Sequence, residues 1–138
     1  MTWPRVNGLR SIEFGAPGES RDRLNAFILQ GNKRATTGLL DHDYDREGEE
    51  LEQLGEHLAM LDSFGTQVAT LLVTDVYVTT FGAVPWEHAA AEAEGDTNID
   101  EWREGHRNFW KTYDNLDIVA DTRVVCLRFD IVERFDSQ

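Results

Sequence analysis

The chain is poor in cysteine, proline and long apolar runs, and each shortage excludes something. Its single cysteine, Cys126, cannot close a disulfide within the chain. The neighbours Val124, Val125, Leu127 and Phe129 mark a buried strand, so Cys126 reads as a packing residue rather than a reactive thiol. No stretch approaches the roughly 20 apolar residues that span a bilayer. The opening segment, Met1 to Arg10, contains Trp3, Pro4 and Asn7 but no apolar signal core, which argues against export. Together these absences lead us to expect a cytoplasmic protein with no membrane partner.

Basic residues are also scarce: 13 Lys and Arg face 26 Asp and Glu, for a formal charge of −13. Proteins that grip a nucleic-acid backbone draw much of their affinity from displacing counterions off phosphates, which takes a basic stripe. Here no block of Lys or Arg interrupts the acidic pattern. Duplex DNA and long single strands are therefore disfavoured as partners, while a pocket for one nucleobase or nucleoside is not. The densest charge run, Asp41 to Glu52, reads as a solvated loop rather than a metal site.

What is present suits one globular domain. A hydrophobic content of 41% over 138 residues argues against wholesale disorder and is enough to build a core across 1–138. Ser20 to Gln30 reads as a helix: Ser20 can cap it, Asp22 suits its positive start, and Leu24, Phe27 and Ile28 fall at i, i+3 and i+4. Gly31 stands where a left-handed C-terminal cap belongs. Ala35 to Leu40 reads as extended. Glu56 to Asp62 is a short strand, and Asp62-Ser63-Phe64-Gly65 has turn chemistry. Thr66 to Phe81 is rich in β-formers and too long for one straight strand, which predicts a bend near Thr74-Asp75. Gly82 to Ala91 reads as helical, with Pro85 near its first turn.

A second strong helix follows, capped at Thr97 or Asn98 with Asp100 or Glu101 reciprocating. Along it, Ile99, Trp102, His106, Phe109, Trp110 and Tyr113 share one broad face. The last element, Val124 to Phe135, alternates, with Val125, Leu127, Phe129 and Ile131 on one side. This order implies an α+β domain: a mixed sheet or small barrel with helices at its flanks.

Three segments could carry chemistry. Gly31 to Thr37 puts Lys33 and two threonines just past a helix end. A lysine whose pKa is lowered by burial can serve as base for a neighbouring hydroxyl. The plainer reading is that Lys33 and Arg34 compensate the helix dipole. Glu92-Ala93-Glu94-Gly95-Asp96 places three carboxylates between two helices. These are exposed end-of-helix acids, or cation ligands lacking a histidine at ligand spacing, or a partner for Lys33. Trp102, His106 and Trp110 are core packing around a hydrogen-bonded histidine, or an aromatic wall for a flat base with Arg103 at its polar edge. His42, His57 and His88 read as structural or solvent-facing.

In order, Gly31-x-Lys33-x-Ala35-Thr36, Glu92-Ala93-Glu94-Gly95-Asp96, Trp102-Arg103-x-x-His106-x-x-Phe109 and the strand from Val124 to Phe129 resemble the ASCH domain family. Phe14-Gly15-x-Pro17-Gly18-Glu19 and Arg23-Leu24 look like its longer bacterial members. The resemblance implies a PUA-like fold, a small mixed β-barrel flanked by helices with a cleft at one side, and an RNA- or nucleoside-linked role. Short bacterial members include amidohydrolases that remove the acetyl group of N4-acetylcytidine with a lysine, a threonine and a glutamate. By motif position these are Lys33, Thr36 and Glu94. On that reading Thr36 attacks the carbonyl, Lys33 accepts its proton and Glu94 orients Lys33, while Arg34, Thr37, Arg103 and His106 hold the substrate. No metal and no cofactor is implied. The alternative is an RNA-binding module or ribonuclease acting on short RNA through the same cleft, with Arg21, Arg23, Lys33, Arg34, Arg103 and Arg107 gathered on one face. Two positions depart from the family pattern. Gly38 stands where short amidohydrolases have arginine, and Ala93 where the longer members have glycine.

Overall fold

The computed structural model describes residues 2–135, and its architecture follows from one long antiparallel pairing. The strands are β1 (Arg5–Val6), β2 (Leu9–Ile12), β3 (Ala35–Leu39), β4 (His57–Leu61), β5 (Gln67–Thr80) and β6 (Arg123–Arg134). The helices are α1 (Glu19–Leu29), α2 (Trp86–Glu92) and α3 (Ile99–Asp114). The sheet runs β1-β2-β4-β5-β6-β3, antiparallel throughout except where β2 lies parallel to β4.

β1 and β3 end the sheet without pairing to each other, so it is open and the expected barrel is not closed. Side chains from β2 and from β3 line one cavity. The α+β assignment stands; the closure does not.

β5 shifts register between Val73 and Asp75, at the bend its length predicts. An extra residue there lets a 14-residue strand turn without losing its partner. β6 lies between β5 and β3, and that placement corrects the one-sided reading of its alternation. Leu127 and Phe129 pack with Phe14, Leu24 and Ile28 under α1. Val124 and Cys126, on the other face, are equally buried against Phe81, Trp102 and Trp110. A central strand between two helical layers buries both faces.

α1 begins one residue before Ser20, with Gly18 at the cap position, φ 101°, donating its N–H to Ser63 Oγ at 2.8 Å. It stops at Gly31, φ 84°, as expected. For α3 the structure decides between the candidate caps. Asn98 Oδ1 accepts the Glu101 N–H at 2.9 Å, and Glu101 Oε1 accepts the Thr97 N–H at 2.7 Å. No described helix is long and apolar enough to cross a membrane.

The acidic run is not a wholly solvated loop. A π-helical turn, Leu40–Asp45, leads into a segment where Glu49 and Glu52 are buried. Glu49 accepts both guanidinium arms of Arg5 at 2.9 and 3.1 Å and the Trp3 N–H at 2.6 Å, which fastens the first strand to this loop. The Arg5 hydrogen bonds hold the Glu49 carboxyl down at about 2, against an ordinary 4.5. A depressed carboxylate stabilises the fold fully above its unfolded value and loses that contribution as pH falls through the folded one. The thermal midpoint is therefore expected to fall as pH drops from 4.5 toward 2, and Glu49→Gln to flatten that part of the curve.

Candidate functional site

The left-handed turn at Gly31 sends the chain back across the end of α1, and Lys33 follows with its side chain inside. The Lys33 N–H donates to Phe27 O and the Arg34 N–H to Ala91 O, which ties this turn to the end of α2. Lys33 is only 2% exposed. Its Nζ donates to Ala35 O at 2.8 Å and to Glu94 Oε2 at 2.6 Å, and lies 3.7 Å from Glu92 Oε1.

Both acids reach this ammonium because the chain reverses between them. α2 ends at Glu92, and Ala93 takes a left-handed conformation, φ 53° and ψ 43°, which returns Glu94 to the same side. Glycine adopts that conformation without the Cβ clash, so Ala93 carries a strain that glycine would not.

Glu92 is the hub. It is 1% exposed, yet Thr37 Oγ1 donates to its Oε2 at 2.6 Å and His106 Nε2 donates to its Oε1 at 3.1 Å. His88 Nε2 lies 2.9 Å from Thr37 Oγ1 and 3.3 Å from Glu92 Oε2. Thr37 gives its proton to Glu92, so His88 is the donor toward Thr37. His106 Nδ1 lies 2.9 Å from Trp102 O, and its ring stacks on Trp102 with centroids 4.2 Å apart. Both nitrogens of His106 thus face acceptors with no proton to give, a carbonyl and a carboxylate, which favours the imidazolium. Burial opposes that charge, but the Glu92 carboxylate outweighs it and raises the His106 pKa. Burial likewise works against ionised Glu92, and the charges of Lys33 and His106 pull its pKa well below the usual range. Two carboxylates are set against two cations.

Glu92, Glu94 and His106 bring one ligand atom each within 4.8 Å of one another, a spacing that suits a metal ion. Here the Lys33 ammonium already supplies the cation to both carboxylates, and His106 offers Glu92 an N–H rather than a lone pair.

The cluster opens on a cavity of about 710 Å³. Lys33, Thr36, Thr37, Glu92, Glu94 and His106 all contribute to its wall, with aromatic surface from Trp3, Phe109, Trp110 and Tyr113. In the β3–β6 register Thr36 sits opposite Leu127 and Thr37 opposite Cys126, so the two threonines point to opposite faces of β3. Both reach the cavity because β3 is an edge. Thr36 forms no hydrogen bond with Lys33 or Glu94. Thr37, expected to contact substrate, is engaged by Glu92. Two residues expected at the substrate lie outside the wall. Arg34 is exposed, with Nε on Gly31 O at 3.2 Å, and Arg103 donates to Gly82 O at 2.9 Å. His88 was read as structural or solvent-facing, and Glu92 only as one of three acids. Their spacing of four residues in a helix running into Glu94 is the signal that could have joined them.

Removing one member of a buried charge cluster strands its partners. Glu92→Gln is expected to destabilise the fold by about 3–5 kcal/mol, read from urea unfolding. Ala93→Gly is expected to stabilise it by about 0.5–1 kcal/mol in the same measurement, because the left-handed strain is relieved.

Similar folds occur in solved structures. The protein EF3133 of Enterococcus faecalis V583 is 30% identical, with a TM-score of 0.76 over 88% of this chain and 75% of its own. An ASCH domain from Lactobacillus crispatus JV V101 is 26% identical, again with a TM-score of 0.76, over 91% of this chain and 82% of its own. The hypothetical protein PH0355 is 17% identical, with a TM-score of 0.56 over 87% of this chain and 97% of its own, and shares the fold alone. No curated protein matches the chain. The ASCH domain profile matches residues 10–133, a span that contains the Lys33 turn, the reversal at Ala93 and every residue hydrogen-bonded to Glu92. This chain belongs to the ASCH domain family.

Proposed function

We propose that the chain hydrolyses an amide on an uncharged, nucleoside-sized small molecule held in this cavity. The observation that carries the proposal is the Lys33–Glu94 pair, 2.6 Å apart, in the wall of a cavity of about 710 Å³ that Thr36 also lines. That volume falls within the range of small-molecule sites.

In this scheme Thr36 Oγ1 attacks the carbonyl carbon and the Lys33 amine takes the hydroxyl proton. Lys33 must first be neutral, whereas as an ammonium it donates to Ala35 O and Glu94 Oε2. Glu94 resolves the conflict. Its side chain is 20% exposed where that of Lys33 is 1%, so it can take the ammonium proton and exchange it with water. Glu92, enclosed by Thr37, His88 and His106, remains the fixed negative charge. Lys33 then returns the Thr36 proton to the leaving amine, and water releases the acyl group from Thr36.

Charge favours a free nucleoside over RNA. Glu13, Asp43, Glu52, Asp96 and Asp114 add to the wall beyond the paired acids, against Arg23. A phosphate entering there meets more negative than positive charge. ASCH domains in general bind RNA. Among the arginines expected to form an RNA-binding face here, Arg21 is buried on Glu13 and two backbone carbonyls, Arg103 is spent on Gly82 O, and Arg107 lies over the Phe81 ring.

The test is acetate release from N4-acetylcytidine by the purified chain. Lys33→Met, Thr36→Val and Glu94→Gln are each expected to slow it by about 10²–10⁴-fold. Absence of acetate with the unaltered protein overturns the proposal. RNA binding that strengthens steeply as salt is lowered favours the ribonuclease or RNA-binding alternative.

A further inference from the structure

The hydrolytic scheme leaves one buried carboxylate in the cavity wall without a task. Glu52 is 3% exposed although it closes the acidic run that begins at Asp41. Its Oε1 accepts the Tyr44 hydroxyl at 2.8 Å, and no other described side chain donates to it. Arg10 offsets its charge only through space, because the guanidinium hydrogen bonds go to Glu49, Glu56 and the carbonyls of Glu50 and Leu51. Burial is the largest influence on the Glu52 carboxyl and pushes its pKa up. With the Tyr44 hydroxyl and its own backbone N–H as donors, the Glu52 carboxylate still has acceptor capacity for a further donor in the cavity.

The surroundings narrow what that donor is. Tyr44, itself 5% exposed, fixes the orientation of Glu52. Trp3 is anchored beside it by Nε1 on Asp43 O at 3.1 Å and by an edge-to-face contact with Tyr44, centroids 5.0 Å apart. Phe109 and Tyr113, 4.8 Å apart, add aromatic surface that is not fully buried. Flat rings stack on such surfaces with little regard to sequence, and an acceptor at the ring edge then decides which ring is kept.

We infer that Glu52, held by Tyr44, is the specificity-determining acceptor for an exocyclic amino group on a flat heteroaromatic ring lodged in this cavity. The inference rests on reading the cavity as a small-molecule site. A carboxylate only accepts, so a ring amine donates to it directly. A carbonyl at the same ring position sets oxygen against oxygen. Pairing of this kind separates an amino from a keto ring by about tenfold or more.

Isothermal titration calorimetry of the full chain with cytidine and uridine tests this, since the two share size and sugar and differ by amino against carbonyl at one ring carbon. Cytidine is expected to bind about tenfold or more tightly than uridine. Glu52→Gln, whose amide both donates and accepts, is expected to bring the ratio near one. Tyr44→Phe keeps the ring packing, removes the orienting hydroxyl and is expected to narrow the ratio. Circular dichroism establishes that each variant is folded. Equal binding by the unaltered protein, or a preference that survives Glu52→Gln, overturns the inference. So does the failure of cytidine to bind. Acetate release measured on the same preparation then separates the two readings: acetate without base preference leaves the reaction standing and removes Glu52 from it.

Discussion

A lysine ammonium held out of water between two carboxylates is the constraint around which this molecule is arranged. Burying an isolated charge costs several kcal/mol or more, so Lys33 can stay inside only while acceptors surround it. The chain supplies them from three directions: the Ala35 carbonyl from its own strand, Glu94 from the turn after α2, and Glu92 from the end of that helix. Glu92 in turn needs His106, which ties α3 to the cluster, and Thr37, which ties β3 to it. The second core, around Trp102, Phe81 and Trp110, packs directly behind the His106 ring. Packing and electrostatics therefore support one another here, because moving α3 would unpair a buried charge.

The same cluster explains why the sheet is best left open. Because β3 ends the sheet, Thr36 faces the cavity rather than the backbone of another strand. The edge position of β3 lets threonines on both of its faces contribute to one wall. The gap is bordered on another side by the acidic segment, which Glu49 fastens to Arg5, Arg10 and the Trp3 backbone. Trp3, Tyr44 and Glu52 thereby become part of the wall. A loop composed mostly of acids is ordered by a few arginines donated from the first strands.

Local chemistry carried far in reading this chain. Gly31 ends α1 because a left-handed residue is needed there, and the Asn98–Glu101 cap starts α3 because two orphan N–H groups need acceptors. The bend in β5 was legible from length alone. The pairing of Lys33 with an acid near Glu94 was one of three open readings, and geometry chose it. What local patterns misjudged has a common cause. Glu49 and Glu52 were read in a solvated loop, and His88 as structural or solvent-facing. Each is buried by a segment distant in the chain: the first strands, or β3.

The sequence by itself determined α1, α3 and the strands β3 to β6, the α+β class, and the order of motifs that marks the ASCH domain, since these depend on neighbours within a turn or on a pattern along the chain. It did not show β1, β2 or the π-helical turn, and it placed the start of α2 four residues early. Tertiary structure alone decided that the barrel is not closed, that Glu92 rather than Glu94 is the buried hub, and that Arg34 and Arg103 stand outside the cavity. Burial and charge compensation are properties of groups brought together across the fold. Glu92 and Lys33 are 59 positions apart in the chain, and nothing local to either one states that the other will be 3.7 Å away.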